Sequence, residues 1–181
     1  FDLPVLELKS SMEEGSLDLT LKAVKPYVLQ GNNGLSQKGR EPGNASYYYS
    51  YTRLNTEGKI VLNKEVFDVT GFSWMDREWS TSALSEDQAG WDWFALQFGD
   101  SSEIMYYQMR KMDGTPDAYS KGIMVDKNGS SKLIKRDHVY LEVMDYWESP
   151  SGVEYPSGWK LDIPDENIKL EIFPAVKNQF M

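Results

Sequence analysis

The chain has 181 residues with a formal net charge of −9, and it contains no cysteine. An acidic chain repels a phosphate backbone, which sets nucleic acid aside as a partner, and the missing thiols exclude disulfides and thiolate metal sites. Apolar residues make up 40% of the chain, enough for a buried core, but no apolar run approaches the roughly 20 residues of a membrane span.

Alternation of apolar and polar residues dominates the chain and predicts strands. Residues 16–23 place Leu17, Leu19 and Leu21 on one face, and the tyrosine-rich segment at residues 45–54 alternates in the same way. Further strands are predicted, in chain order, at Lys59–Leu62, Val66–Met75, Trp91–Phe98, Glu103–Arg110, Gly122–Val125, Lys132–Ile134, Tyr140–Trp147, Gly158–Ile163 and Ile168–Phe173. Many short strands without a helical stripe predict an all-β, antiparallel sandwich or barrel.

Glycine, asparagine and charged residues mark the connections between these strands. A turn is predicted at Asn55–Gly58, a long loop at Gln30–Gly43, and a second polar loop at Ser80–Ala89. We expect a domain or sub-domain boundary near this second loop.

Aromatic and charged side chains are concentrated on either side of that loop. Four of the six tryptophans lie between Trp74 and Trp93. If residues 71–79 are extended, Asp76 and Glu78 share one face of the strand and Arg77 lies on the other. We expect one wall of a ligand pocket, with the two carboxylates at its entrance or beneath it, made of Trp91, Trp93, Gln97, Gln108 and Arg110.

Two carboxylates this close compete for a proton, so one of them is expected to be protonated near neutral pH. Such an acid can deliver a proton to an unsaturated carbon, and indole faces can stabilise the positive charge that develops. Packing is the competing interpretation, because strand tryptophans are usually core or rim residues and an Asp-Arg-Glu run is usually a surface ion cluster.

Other chemistry has little support in the sequence. His138 is the sole histidine and is expected to be an exposed residue at a strand edge; alone it cannot build a histidine metal site. No nucleotide-binding glycine pattern and no serine-hydrolase elbow occurs. We therefore expect no cofactor and no metal.

Several segments together resemble the carotenoid 1,2-hydratase and AttH-like family, whose members hold two lipocalin-like β-barrels in tandem. The matching segments are SYYYSYTRL (Ser46–Leu54), VTGFSWMDREWS (Val69–Ser80), GWDWFALQF (Gly90–Phe98), MYYQMR (Met105–Arg110) and WESPSGVEYPSGWKL (Trp147–Leu161). The resemblance implies that residues 1–76 form the C-terminal part of an N-terminal barrel and that residues 90–181 form an incomplete C-terminal barrel. Residues 77–89 would be the loop that connects the two barrels. It also implies that the chain is an internal fragment, with a ligand cleft near the junction of the barrels.

The hydratases of this family add water across an isolated isoprenoid double bond without a cofactor. Their motif generally reads Asp-His-Glu-Trp, whereas this chain has Asp76, Arg77, Glu78 and Trp79 and so is closer to the AttH-like branch. Arginine is a poor proton donor at neutral pH. By the resemblance the catalytic candidates are Asp76, Glu78 and Tyr107, with Tyr106 as a further possible proton source. The candidate ligand-binding residues are Arg77, Trp79, Trp91, Trp93, Gln97, Tyr106, Gln108 and Arg110.

Three functions stay open at this point. The first is a cofactor-free hydratase or lyase acting on an apolar, unsaturated molecule. The second is a non-catalytic lipocalin-like carrier of a small hydrophobic molecule, with a transport system as its partner. The third is a structural cluster that only joins two barrels. The resemblance favours a periplasmic or secreted location.

Overall fold

The computed structural model describes residues 2–80 and 84–176, and strands dominate this part of the chain. The strands are β1 (Val5–Ser11), β2 (Gly15–Ala23), β3 (Val28–Leu29), β4 (Leu35–Gln37), β5 (Ala45–Leu62), β6 (Glu65–Ser80), β7 (Gln88–Gln97), β8 (Glu103–Lys111), β9 (Lys121–Val125), β10 (Ser131–Lys135), β11 (Tyr140–Glu148), β12 (Glu154–Ile163) and β13 (Ile168–Ile172). Two single-turn 3-10 helices, Arg136–His138 and Pro164–Glu166, complete its regular structure. Within these residues, no helix has the length and apolar character needed to cross a membrane.

The strands form three antiparallel sheets, which confirms that the fold is all-β and antiparallel. The first sheet has the order β1-β2-β5-β3, with β4 and β6 also paired to β5; the second is β10-β9-β8-β7 and the third is β11-β12-β13. None of these sheets closes on itself within residues 2–80 and 84–176. The predicted lipocalin-like barrels are therefore not seen as closed structures in the described part.

The chain divides into two compact units, one ending at Leu133 and the other beginning at Ile134. This division falls inside β10. Strand β6 continues to Ser80, so Arg77–Ser80, predicted as the start of a connecting loop, is extended instead. The division into barrels at 1–76 and 90–181 stays a prediction.

A long hairpin of β5 and β6 dominates the first sheet. Asn63 and Lys64 connect the two strands with φ values of 50° and 70°, the pair of positive angles that a type I′ turn requires. The turn predicted at Asn55–Gly58 is wrong, because β5 runs straight through it. A Cβ at Gly58 would lie 2.1 Å from the backbone oxygen of Asp18, so this glycine allows close approach to β2 and does not mark a turn.

The segment Gln30–Gly43, predicted as one long loop, contains the short strand β4. This strand pairs with residues 45–47 at the beginning of β5. The pairing fixes Ser36 within the sheet and holds Lys38 one residue beyond it, so both residues lie beside the inner face of β5.

The first two sheets pack against each other through apolar and aromatic side chains. The shared core contains Val28, Tyr48, Met105, Tyr107, Met109, Ile123 and Val125, with Trp74 against its side. The face of β5 that carries Tyr48 and the face of β8 that carries Tyr107 therefore look toward one another.

A buried ion cluster also joins these two sheets. The Glu103 carboxylate on β8 is fully buried and accepts hydrogen bonds from Lys25 Nζ at 2.8 Å and Arg53 Nε at 2.6 Å. Thr52 Oγ1 donates to the same carboxylate at 3.1 Å. Because Thr52 and Arg53 lie on β5, this ion cluster contributes to the spacing between the sheets.

The second compact unit holds the third sheet, in which β12 is central. Leu161 and Ile163 of β12 are buried. His138 lies in a 3-10 turn before β11, not at a strand edge as predicted, and its Nδ1 contacts the carboxylate of Asp165. Both side chains are half exposed.

Candidate functional site

Strand register places the two candidate carboxylates on the inner face of the β5–β6 hairpin. Tyr48 pairs with Glu78 and Ser50 pairs with Asp76, and side chains at directly paired positions project to the same face. Tyr48 belongs to the core between the first two sheets. The prediction that Asp76 and Glu78 share a strand face is confirmed.

Asp76 is surrounded by neutral hydrogen-bond donors. Its Oδ1 accepts a hydrogen bond from the hydroxyl of Ser50 and a second one from Trp74 Nε1 at 2.9 Å. Ser50 in turn accepts a hydrogen bond from Gln30 Nε2 at 2.9 Å. Gln30 and Ser50 are completely buried, whereas Asp76 is exposed, so Asp76 is the member of this chain of groups that a ligand can reach.

Glu78 has a different, charged environment. Its carboxylate forms an ion pair with Lys38 Nζ and accepts a hydrogen bond from Ser46 Oγ at 2.5 Å. The Lys38 ammonium lies 5.6 Å from the ring centre of Tyr48 and 5.0 Å from that of Tyr107, within the range of cation–π attraction. The two carboxylates therefore have separate partners and do not share one donor.

Two buried phenols lie beneath the carboxylates. Burial, followed by the negative charge of Asp76, raises the pKa of Tyr48 well above its usual range. Burial also raises the pKa of Tyr107 well above its usual range, and the charge of Glu78 adds to this. The hydroxyl groups of Tyr107 and Ser36 are 2.9 Å apart. Both phenols thus stay neutral over the physiological range.

Trp93 connects this group to the exposed surface. Its Nε1 donates a hydrogen bond to the Tyr48 hydroxyl at 3.4 Å, and its register partner on β8 is Tyr107. Trp91 lies on the same face of β7. Trp91 is 53% exposed and Trp93 is 45% exposed. We call Asp76, Glu78, Tyr48, Tyr107, Lys38 and Trp93 the carboxylate cluster.

Lys121 adds a second cation close to the cluster. Its Nζ donates to the backbone oxygen of Gln37 at 2.8 Å. Burial, followed by the positive charge of Lys38, lowers the pKa of Lys121. Lys38 therefore interacts electrostatically with both Glu78 and Lys121.

Arg77 and Trp79 lie on the outer face of β6, away from the two carboxylates. Trp79 pairs with Tyr47 and Arg77 with Tyr49, and the Arg77 guanidinium lies 5.3 Å from the Trp79 ring centre. Trp79, a candidate ligand-binding residue like Trp91 and Trp93, is turned away from the inner face by alternation along β6.

The predicted wall of Trp91, Trp93, Gln97, Gln108 and Arg110 is wrong as a single surface. Asp92 pairs with Gln108 and Phe94 pairs with Tyr106, so Gln108, Arg110 and Tyr106 lie on the face opposite to the two indoles. Arg110 Nε lies 3.6 Å from the Asp92 carboxylate. Burial raises the pKa of Asp92, and the charge of Arg110 partly opposes this.

Gln97 lies on the same face of β7 as Trp93, but its amide is used within the fold. Its Nε2 donates to the backbone oxygens of Thr52 at 2.8 Å and Ser73 at 3.2 Å. Gln97 thus ties β7 to the β5–β6 hairpin. The role of Tyr107 as a catalytic group stays a prediction; its hydroxyl is buried against Ser36.

Sequence reasoning missed the groups that support the two carboxylates. These residues are Gln30, Ser36, Lys38, Ser46, Tyr48, Ser50 and Lys121. Alternation in residues 46–54 does place Tyr48 and Ser50 on one face, but no sequence signal gives the register of β5 against β6. Lys38 carries no pattern at all, because its position depends on the three-residue strand β4.

The geometry defines a class of protein in which two packed antiparallel sheets carry a pair of carboxylates. Each carboxylate has its own hydrogen-bond or ion-pair partners, and both lie close to neutral phenols and exposed indoles. The sequence matches the AttH-like family over residues 3–181, and the chain belongs to that family.

Similar proteins support the same assignment. A crystal structure from Nitrosomonas europaea assigned as AttH is 31% identical and superposes with a TM-score of 0.88, covering 97% of this chain and 54% of that one. A crystal structure of kievitone hydratase from Nectria haematococca is 21% identical, with a TM-score of 0.69 over 88% of this chain and 49% of that one; at this identity the likeness concerns the fold. The kievitone hydratase of Fusarium solani subsp. phaseoli is 21% identical over 155 residues, which are 83% of this chain and 43% of the relative. The chain thus spans about half the length of these relatives.

Proposed function

We propose that this protein is a cofactor-free, hydratase-like member of the AttH-like family. It would add water across a carbon–carbon double bond of an apolar, isoprenoid-like ligand held between two lipocalin-like barrels. Support comes from the family membership, from the two hydratases among the similar proteins, and from the carboxylate cluster. The observation that carries the proposal is the contrast between Asp76, which has neutral donors, and Glu78, which is paired with Lys38.

Because the two carboxyl groups have different surroundings, one can donate the proton to the alkene and the other can accept the proton from water. Glu78 is paired with the Lys38 ammonium whereas Asp76 is bonded by Ser50 and Trp74, so we assign Asp76 as the acid and Glu78 as the base. In the proposed reaction Asp76 gives its proton to one alkene carbon, and the π electrons form the new C–H bond. The cation left on the more substituted carbon is stabilised by the faces of Trp91 and Trp93.

Water then attacks the cation, forming the C–O bond and giving one proton to Glu78. Both carboxyl groups exchange with solvent, because Asp76 is exposed and the Glu78 side chain is 35% exposed. The sum is one water molecule added to one double bond. No redox step and no cofactor enter this scheme.

A second candidate function is a non-catalytic carrier of a small hydrophobic molecule that hands it to a transport system outside the cytoplasm. The exposed indoles of Trp91 and Trp93 favour it, because they offer an apolar surface without any chemistry. So does the sequence Asp76-Arg77, where the hydratases generally have Asp-His. A carrier would bind an isoprenoid-like probe and return it unchanged.

The test uses kievitone, together with a panel of prenylated phenols and acyclic isoprenoids, incubated with the purified protein in heavy-oxygen water. A product that has gained one labelled water supports the hydratase, and Asp76→Asn and Glu78→Gln should each abolish it. The matched control is Asp68→Asn, which alters an exposed carboxylate elsewhere on β6, 3.8 Å from Lys59, and should leave turnover unchanged. Quenching of tryptophan fluorescence without product would support the carrier, and turnover that persists in both variants would overturn the assignment of the two carboxylates.

A further inference from the structure

Asp76 stands at the end of a line of buried groups whose hydrogen bonds all point toward it. Gln30 Nε2 can only donate, so Ser50 Oγ accepts at 2.9 Å and its single hydrogen is left for Asp76 Oδ1. Trp74 Nε1 is also a donor only, and it donates to the same oxygen at 2.9 Å. Neither donor can reverse its direction while this arrangement holds.

These two donors match the two lone pairs of Oδ1, and the Tyr48 hydroxyl bonds to the same carboxyl group. A proton carried by the Asp76 carboxyl then has to be on Oδ2. The donors on Oδ1 also stabilise the negative charge that is left when that proton departs. The arrangement therefore determines which oxygen exchanges protons, besides holding the side chain in place.

The Gln30 amide uses its nitrogen to bond to Ser50, while its oxygen is left without a bond in the part of the chain that the structure describes. Gln30 is fully buried, and within the described residues its Oε1 has no hydrogen-bond partner. A buried oxygen without a hydrogen-bond partner destabilises the folded state, because it has lost its bonds to water. If Gln30 served only to stabilise the fold, an apolar side chain at this position would avoid the unpaired oxygen. We therefore expect the amide to have a role at Ser50.

We propose that Gln30 and Ser50 are positioning residues that confine the exchangeable proton of Asp76 to Oδ2. This inference rests on the proposed hydration, in which the Oδ2 proton is the one delivered to the alkene. Other titratable groups face Asp76. Tyr48 on β5 forms a hydrogen bond with it, and Glu78, two residues later on β6, is paired with Lys38. Burial lowers the pKa of Lys121, and Lys38 lies close enough for its charge to lower it further.

The experiment compares variants that keep, remove or reverse the hydrogen bond that Ser50 donates to Asp76. Ser50→Ala removes the donor to Oδ1, and Ser50→Thr keeps it. Gln30→Glu has nearly the same shape but presents an acceptor, which draws the Ser50 hydrogen away from Asp76. Ser120→Ala is the control for loss of a buried hydroxyl, because the Ser120 hydroxyl donates to the Asp117 backbone oxygen and accepts from the Met109 amide, and neither of these partners is a donor to Asp76.

Ser50→Ala and Gln30→Glu should each lower kcat about 10- to 100-fold, the effect of losing one hydrogen bond to a charged group, with KM nearly unchanged. The same variants should move to higher pH the alkaline limb of the pH–kcat profile, along which the acid that protonates the alkene is lost. Ser50→Thr should restore both quantities, and Ser120→Ala should leave both unchanged. Unaltered kcat and pH profile in Ser50→Ala and Gln30→Glu, with Asp76→Asn inactive, would overturn the positioning role and leave the proposed function intact.

A second readout does not depend on any substrate. In protein labelled with carbon-13 aspartate, the Asp76 Cγ resonance, assigned from its loss in Asp76→Asn, is followed against pH. Its titration midpoint should move to higher pH in Ser50→Ala and Gln30→Glu, because the anion then loses a donor, and should not move in Ser120→Ala. If no probe is turned over but this midpoint moves, the proposed function fails and the positioning role stands; an unmoved midpoint overturns the positioning role.

Discussion

The buried ion cluster around Glu103 gives the sharpest prediction about what holds the two sheets of the candidate site together. Glu103 on β8 is the one anion that Lys25 and Arg53 both contact in the cluster, and all three side chains are at most 6% exposed. Glu103→Gln keeps the shape of the side chain but leaves two buried cations without a counter-charge. We expect the free energy of unfolding to fall substantially.

The expected magnitude follows from the geometry. Removing one partner of a buried ion pair costs about 3–5 kcal/mol, and Glu103 has two such partners, so the loss should lie at the upper end of that range. For a chain of this size about 2–4 °C of Tm is lost per kcal/mol. Lys25→Met should cost less, because Glu103 then keeps the Arg53 contact at 2.6 Å.

Urea unfolding followed by tryptophan fluorescence and thermal unfolding followed by circular dichroism measure these losses. The control is Glu57→Gln, which breaks an ion pair of similar length, 2.7 Å to Lys22, on the exposed surface of the first sheet. Exposed ion pairs contribute little to stability, because solvent screens the two charges. The reasoning is refuted if Glu103→Gln costs no more than Glu57→Gln, or if Lys25→Met costs more than Glu103→Gln.

The sequence predicts much of the fold because alternation is a local property. Most of the strands from β2 to β13 fall on predicted runs, within a few residues at their ends. The failures have local causes that the pattern cannot show. Gly58 looks like a turn residue, yet it lies inside β5, where the backbone of β2 leaves no room for a Cβ.

The candidate site is predicted less well because it depends on register between strands. Alternation correctly places Asp76 and Glu78 on one face of β6. It cannot say whether the Trp93 face of β7 meets the Tyr107 face or the Gln108 face of β8, and the predicted wall mixed the two faces. Lys38 lies outside any strand, so only the folded chain brings it to Glu78.

Two further predictions concern a glycine on the hairpin and the buried phenols. Gly58→Ala should lower the free energy of unfolding by about 1–3 kcal/mol, because the added Cβ meets the Asp18 oxygen, whereas Gly71→Ala, with nothing within 4 Å of the added Cβ, should be nearly neutral; equal losses in urea unfolding would contradict the argument. The second prediction concerns alkaline pH. The pKa values of Tyr48 and Tyr107 are raised in the folded protein, so above about pH 10, where an unfolded tyrosine ionises, the folded state holds more protons than the unfolded state. Stability from these phenols is therefore complete below about pH 10 and falls as the pH rises further, by about 1.4 kcal/mol per pH unit for each phenol. Urea unfolding between about pH 9 and pH 11.5 measures this slope, and Tyr48→Phe should make it less steep by the share of one phenol, because phenylalanine has no proton to lose. A slope that is the same in Tyr48→Phe and the unaltered protein would show that Tyr48 ionises as readily in the folded chain as in the unfolded one, and that Asp76 and burial do not hold it neutral.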